Sequence, residues 1–78
     1  MIEPSDKHFL AIDLGGTKVA VAVITAHGRI LSRSQEPTDQ TGPQQLIEQV
    51  ARMLRDLLHN AELPTNDIQG IGVGLPAV

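Results

Sequence analysis

The alternation of apolar and polar positions divides most of the chain into five segments. Phe9, Leu10, Ala11 and Ile12 form an apolar run too short for a helix and without polar alternation, which predicts a central strand covered on both faces. Residues 17–25 alternate Val19, Val21 and Val23 with Ala20 and Ala22. One face is β-branched and the other small, so a second strand is expected, with a face that could accept a helix at close range. After a turn at Ala26, His27 and Gly28, residues 29–35 make a third strand, whose Arg29, Arg33 and Gln35 suit a sheet edge. His27, at a hairpin tip away from Asp13, reads as a solvated turn residue.

Residues 36–41 carry Pro37, Asp39 and Thr41 and read as a loop, from which Gly42 and Pro43 open a helix with proline in its first turn. Leu46, Ile47, Val50, Leu54, Leu57, Leu58 and Ala61 then recur at helical spacing, with Gln45, Glu48, Gln49, Arg52, Arg55, Asp56 and His59 opposite. Glu48 with Arg52 and Arg52 with Asp56 are i,i+4 pairs of a solvated face, and Met53 fills the core. Leu63-Pro64 is expected to stop the helix. Residues 68–75 set Ile71, Val73 and Leu75 against Gly70, Gly72 and Gly74. Glycines alternating in a strand are costly unless something approaches the backbone. Tight helix packing is expected at Gly70 and Gly72, and either packing or room for a ligand at Gly74.

These pieces predict an α/β fold: an antiparallel meander, then a right-handed crossover through the helix to a fourth strand parallel to the first, in spatial order 3-2-1-4. Residues 1–7 read as a loose tail and 8–78 as one β-β-β-α-β unit. Pro76, Ala77 and Val78 follow without a turn or a further element, so the chain reads as a truncated domain with a sheet face and an edge left bare.

Composition narrows the function classes. Seventy-eight residues allow one small domain. Without cysteine there are neither disulfides nor thiolate metal sites within this stretch. A net charge of −3 and one aromatic residue, Phe9, argue against nucleic-acid binding, which needs a basic surface and stacking side chains. The polar start, MIEPSDKH, is no signal peptide, and no apolar run approaches a membrane span. A cytoplasmic chain is expected.

The candidate chemistry sits where the first strand breaks, at Asp13-Leu14-Gly15-Gly16-Thr17-Lys18. Gly15 and Gly16 permit positive φ and let backbone N–H groups approach a bound group; Thr17 adds a hydroxyl and Lys18 a cation. These suit phosphate. A carboxylate beside a phosphate repels it unless a divalent cation stands between them, so Asp13 is a candidate Mg²⁺ contact, direct or through water. The implied ligand is a metal-bound nucleotide. An ordinary glycine turn is the plainer reading of the same residues. Other phosphate motifs are excluded: G-x-x-x-x-G-K-[ST] is absent, and Leu75 stands where a G-x-G-x-x-G beginning at Gly70 would need its last glycine.

With these residues in place, the chain from Phe9 to Pro76 resembles the amino-terminal part of the ROK family, which groups bacterial sugar kinases with related repressors in the actin and hexokinase superfamily. The resemblance rests on DLGGTK, the Val/Ala strand, the amphipathic helix and Gly70-Ile71-Gly72-Val73-Gly74-Leu75-Pro76. It implies a ribonuclease H-like, actin-like ATPase fold with ATP and Mg²⁺ in a cleft, and transfer of the γ-phosphoryl group to a sugar hydroxyl. By that resemblance Asp13 is the acid near Mg²⁺, Gly15, Gly16 and Thr17 cradle the β/γ-phosphates, and Lys18 occupies a motif position. Gly74 and Pro76 approach the sugar cleft, with Ala77 where the family usually has a second glycine. The family's catalytic aspartate, further nucleotide motifs and zinc cysteines would lie beyond Val78, so the implied partners are a sugar and the remaining part of the same chain. A homo-oligomer of the parent stays open.

Three other classes compete. A ROK-type sugar-responsive regulator would carry a helix-turn-helix before the phosphate strand, where this sequence has Met1 to His8. A phosphatase using Asp13 as nucleophile would commonly have a second acid where Gly15 stands. A filament or interaction module shares the phosphate loop across the superfamily.

Overall fold

The computed structural model describes residues 7–74. The elements are β1 (His8–Leu14), β2 (Lys18–Thr25), β3 (Ile30–Pro37), α1 (Pro43–Asn60), a 3₁₀ turn (Thr65–Asp67) and β4 (Ile68–Gly74). They form one mixed four-stranded sheet in the order β3-β2-β1-β4, as the pattern predicts. β1 pairs antiparallel with β2, setting Asp13 against Ala20, and parallel with β4, setting Asp13 against Gly74. β3 closes one edge, antiparallel to β2. Its strand character runs on through Glu36 and Pro37, so the loop begins at Thr38 instead of Glu36.

The core lies between α1 and one face of the sheet. Val19, Val21 and Val23 are at most 1% exposed and join Leu10, Ile12, Met53, Leu57 and Leu58. The helix therefore takes the valine face of β2 and leaves the alanine face bare. Period-two alternation separates the two faces but does not say which one a helix covers. The branched face offers more apolar area to bury, at about 25 cal/mol per Å².

Gly70 and Gly72 lie on the face away from α1, so the tight helix packing expected there is absent among the described residues. A Cβ on Gly70 would meet the Phe9 ring at 3.5 Å, and one on Gly72 would meet nothing within 4 Å. Ile71 and Val73, on the α1 side of β4, stay more than half exposed, because α1 packs chiefly over β2 and β3.

The helix ends earlier than Leu63-Pro64 suggests. Glu62 takes a left-handed conformation (φ 57°), its N–H donating to the His59 carbonyl at 3.1 Å while the Leu63 N–H donates to Leu58 at 2.9 Å. This is a Schellman closure without glycine. Arg52 keeps one of its two expected partners, Asp56 at 3.6 Å, while no hydrogen bond or ion pair to Glu48 forms among the described residues. It binds Glu36 on β3 instead, through both guanidinium nitrogens, at 2.6 and 3.1 Å. The hydrogen bonds from Arg52, and next from Gln49, hold the Glu36 carboxyl below its ordinary value.

Candidate functional site

Asp13, the turn 15–17, Lys18 and Gly74 meet at one end of the sheet, where β1 and β4 finish and β2 begins. Asp13 is exposed on the bare alanine and glycine face. Its carboxylate accepts no hydrogen bond and joins no ion pair among the described residues. A Cβ on Gly74 would touch the Asp13 Oδ1 at 3.9 Å and the Ile12 carbonyl at 3.8 Å, so glycine keeps that flank of the carboxylate open. Strand alternation puts Lys18 on the same face as Ala20 and Asp13. Pro76, expected beside Gly74, lies outside the described residues, as do Leu75 and residues 1–6 of the tail. Lys7 is tied down: its carbonyl accepts the Ala26 N–H at 3.2 Å.

The glycines of the turn act differently from the sequence expectation. Neither Gly15 nor Gly16 has positive φ; among the described glycines only Gly28 and Gly42 do. Gly15 answers to a close approach, since a Cβ there would lie 3.0 Å from the Lys18 carbonyl, which accepts the Gly15 N–H at 2.9 Å. Gly16 is unconstrained: a Cβ would meet nothing within 4 Å. Neither backbone conformation nor packing among the described residues requires a glycine at position 16, and the space a side chain would fill is the space next to the turn's free amides.

The carbonyls of the turn are all engaged. The Thr38 hydroxyl donates to the Gly15 carbonyl (3.1 Å), the Gln40 side-chain amide to the Gly16 carbonyl (2.7 Å) and the Thr38 N–H to the Thr17 carbonyl (2.9 Å). The N–H groups of Gly16 and Thr17 have no acceptor among the described residues. Oxygen is drawn inward and hydrogen left outward, the polarity an anion requires. Thr38 and Gln40 escape sequence reading because their partners lie 23 and 24 residues away.

A metal would find one acid here. No group of three or more His, Cys, Asp or Glu converges among the described residues. Mg²⁺ is commonly held by one or two carboxylates together with substrate phosphates and water, so a lone Asp13 beside a turn with two free amides fits it as part of a metal nucleotide. No helix among the described residues is long and apolar enough to cross a membrane.

The family model described as ROK family matches residues 9–78. A glucokinase of Halalkalibacterium halodurans is 32% identical over 73 residues, covering 92% of this chain and 22% of that protein. An N-acetylmannosamine kinase of Yersinia pestis is 38% identical over 53 residues, covering 68% and 18%. The chain thus spans about a fifth of the length of these relatives. Among solved structures, a ROK family glucokinase from Streptomyces griseus in complex with glucose and AMPPNP superposes with a TM-score of 0.72 at 25% identity, covering 87% of this chain and 20% of that one. The four-stranded sheet with its crossover helix is part of an actin-like ATPase fold.

Proposed function

The chain belongs to the ROK family, and from that membership we propose that it is the phosphate-binding part of an ATP-dependent sugar kinase, a cytoplasmic enzyme that passes the γ-phosphoryl group of ATP to a hydroxyl of a hexose or N-acylhexosamine. The observation that carries this reading is the polarity of the turn 15–17, with its carbonyls held inward and the Gly16 and Thr17 amides free beside Asp13. Those amides bind the β- and γ-phosphate oxygens, and the bare Gly16 lets them come close. Lys18 adds positive charge on the same face. Asp13 would hold a Mg²⁺ ion, directly or through water, and that ion would supply charge neutralisation for transfer. Gly74, with Pro76 beyond it, borders the sugar side. The catalytic base comes from residues outside this chain, so the chain alone turns over no sugar. Catalysis needs the reacting hydroxyl and the γ-phosphate aligned, and a phosphate turn holds only one of them.

The test is Asp13→Ala in the full-length kinase that carries this chain, with steady-state kinetics and sugar titration measured side by side. Phosphoryl transfer is expected to fall on the order of 10²-fold or more, the size of effect lost with one preorganised charge-stabilising group. Sugar affinity should stay within about twofold, inside the ±0.5 kcal/mol typical of a surface substitution. Equal loss of both would assign Asp13 to the sugar side or to folding.

A further inference from the structure

The segment 38–41 does more than connect β3 to α1. We propose that it is a strap in which Thr38 and Gln40 are positioning residues: they fix the peptide planes of the turn 15–17, and through them the direction in which its amides point. The inference rests on the phosphate-binding reading of that turn.

The argument follows from peptide geometry. In a planar trans peptide the C=O of one residue and the N–H of the next point in opposite directions. Holding the Gly15 carbonyl therefore sets the Gly16 N–H, holding the Gly16 carbonyl sets the Thr17 N–H, and holding the Thr17 carbonyl sets the Lys18 N–H. The strap makes all three contacts, through the Thr38 hydroxyl, the Gln40 amide and the Thr38 N–H. Without them the peptides around Gly15 and Gly16 would be free to turn over, since glycine samples φ of either sign. A flipped plane would aim a carbonyl oxygen at the phosphate and repel it.

The strap is itself anchored. Gln49 on α1 accepts the Asp39 N–H at 2.9 Å and donates to the Pro37 carbonyl at 2.8 Å, while Asp39 Oδ1 accepts the Thr41 N–H at 2.9 Å. Gln49, which belongs to the polar side of the helix pattern, is thus a tether and not a solvated residue.

The experiment compares Gln40→Ala, Thr38→Val and Thr38→Ser with the unmodified full-length kinase, measuring Mg-ATP affinity, KM and kcat, and sugar affinity. Each of the first two is expected to raise the Mg-ATP dissociation constant and KM about fivefold, the effect of one net hydrogen bond, with kcat and sugar affinity changed less than about twofold. Thr38→Ser, which keeps the donor, is expected to restore the parent values, and the Gly16 and Thr17 amide resonances should shift on adding Mg-AMPPNP. If the unmodified protein fails to bind Mg-nucleotide, the phosphate-binding reading falls and the strap with it. If it binds and both variants bind equally well, the strap alone is overturned. Parallel loss of nucleotide and sugar affinity would also overturn it, because that is the mark of a general folding defect.

Discussion

Strand β2 is bounded by two turns of opposite polarity. At its carboxyl end, in the turn 25–29, the N–H groups are consumed: the Thr25 hydroxyl accepts from His27 and Arg29, its carbonyl accepts from Gly28, and Lys7 accepts from Ala26. At its amino end, in the turn 15–17, it is the carbonyls that are consumed and the N–H groups of Gly16 and Thr17 that remain. The glycines divide in the same way. Gly28 sits at φ 85° and serves the backbone; Gly16 has no positive φ and no neighbour within 4 Å, and serves nothing in the described fold. The turn 25–29 satisfies its own donors, whereas the turn 15–17 leaves two amides facing solvent, which is the difference the proposed phosphate site rests on.

The largest effect that could break this contrast is expected from Gly16→Val in the longer protein proposed to carry this chain. The side chain would fill the space where the proposed phosphate comes close, and displacing a reacting group by about 1 Å can cost on the order of 10²-fold. Because the backbone there needs no positive φ, the protein should stay folded; steady-state kinetics read the rate loss, and calorimetric titration with Mg-ATP reads the accompanying loss of affinity. Unchanged affinity in a folded variant would retire the cradle.

Gly28→Ala should do the reverse. An L-residue held in the left-handed region costs roughly 1–2 kcal/mol, so denaturant unfolding should reveal that loss while Mg-ATP affinity stays put. A nucleotide defect from this distant turn would show that the two turns are not independent.

The smallest effect concerns the pair that fastens β3 to α1. The Glu36 carboxyl is held below its ordinary value by Arg52 and Gln49, so its contribution to stability is complete above the unfolded value near 4.5 and is lost as pH falls through the lower folded value. Both partners are partly exposed, which keeps that contribution small. Arg52→Met should flatten the acid limb of a stability against pH profile and leave the neutral region nearly unchanged. An unaltered acid limb would mean that the ion pair contributes nothing in solution.

The strands, their order and the helix were legible because they are written in periodicity: Val19, Val21 and Val23 on one face of β2, Leu54, Leu57 and Leu58 on one side of α1. The face that α1 covers was not legible, since alternation is symmetric until packing chooses. Nor was the helix end, because the left-handed position falls on Glu62, a residue that carries no such signal. At the site, Asp13 and the glycines stood out as a local motif, but the contacts that orient the turn did not. They run from the turn's carbonyls to Thr38 and Gln40, between stretches of sequence that share no pattern.

Gln49 gives the molecule a mechanical property as well. Its side chain joins α1 to the strap, and the strap grips the turn at three successive carbonyls. Helix and turn are therefore tied together by a continuous run of hydrogen bonds, and not by the connecting chain alone.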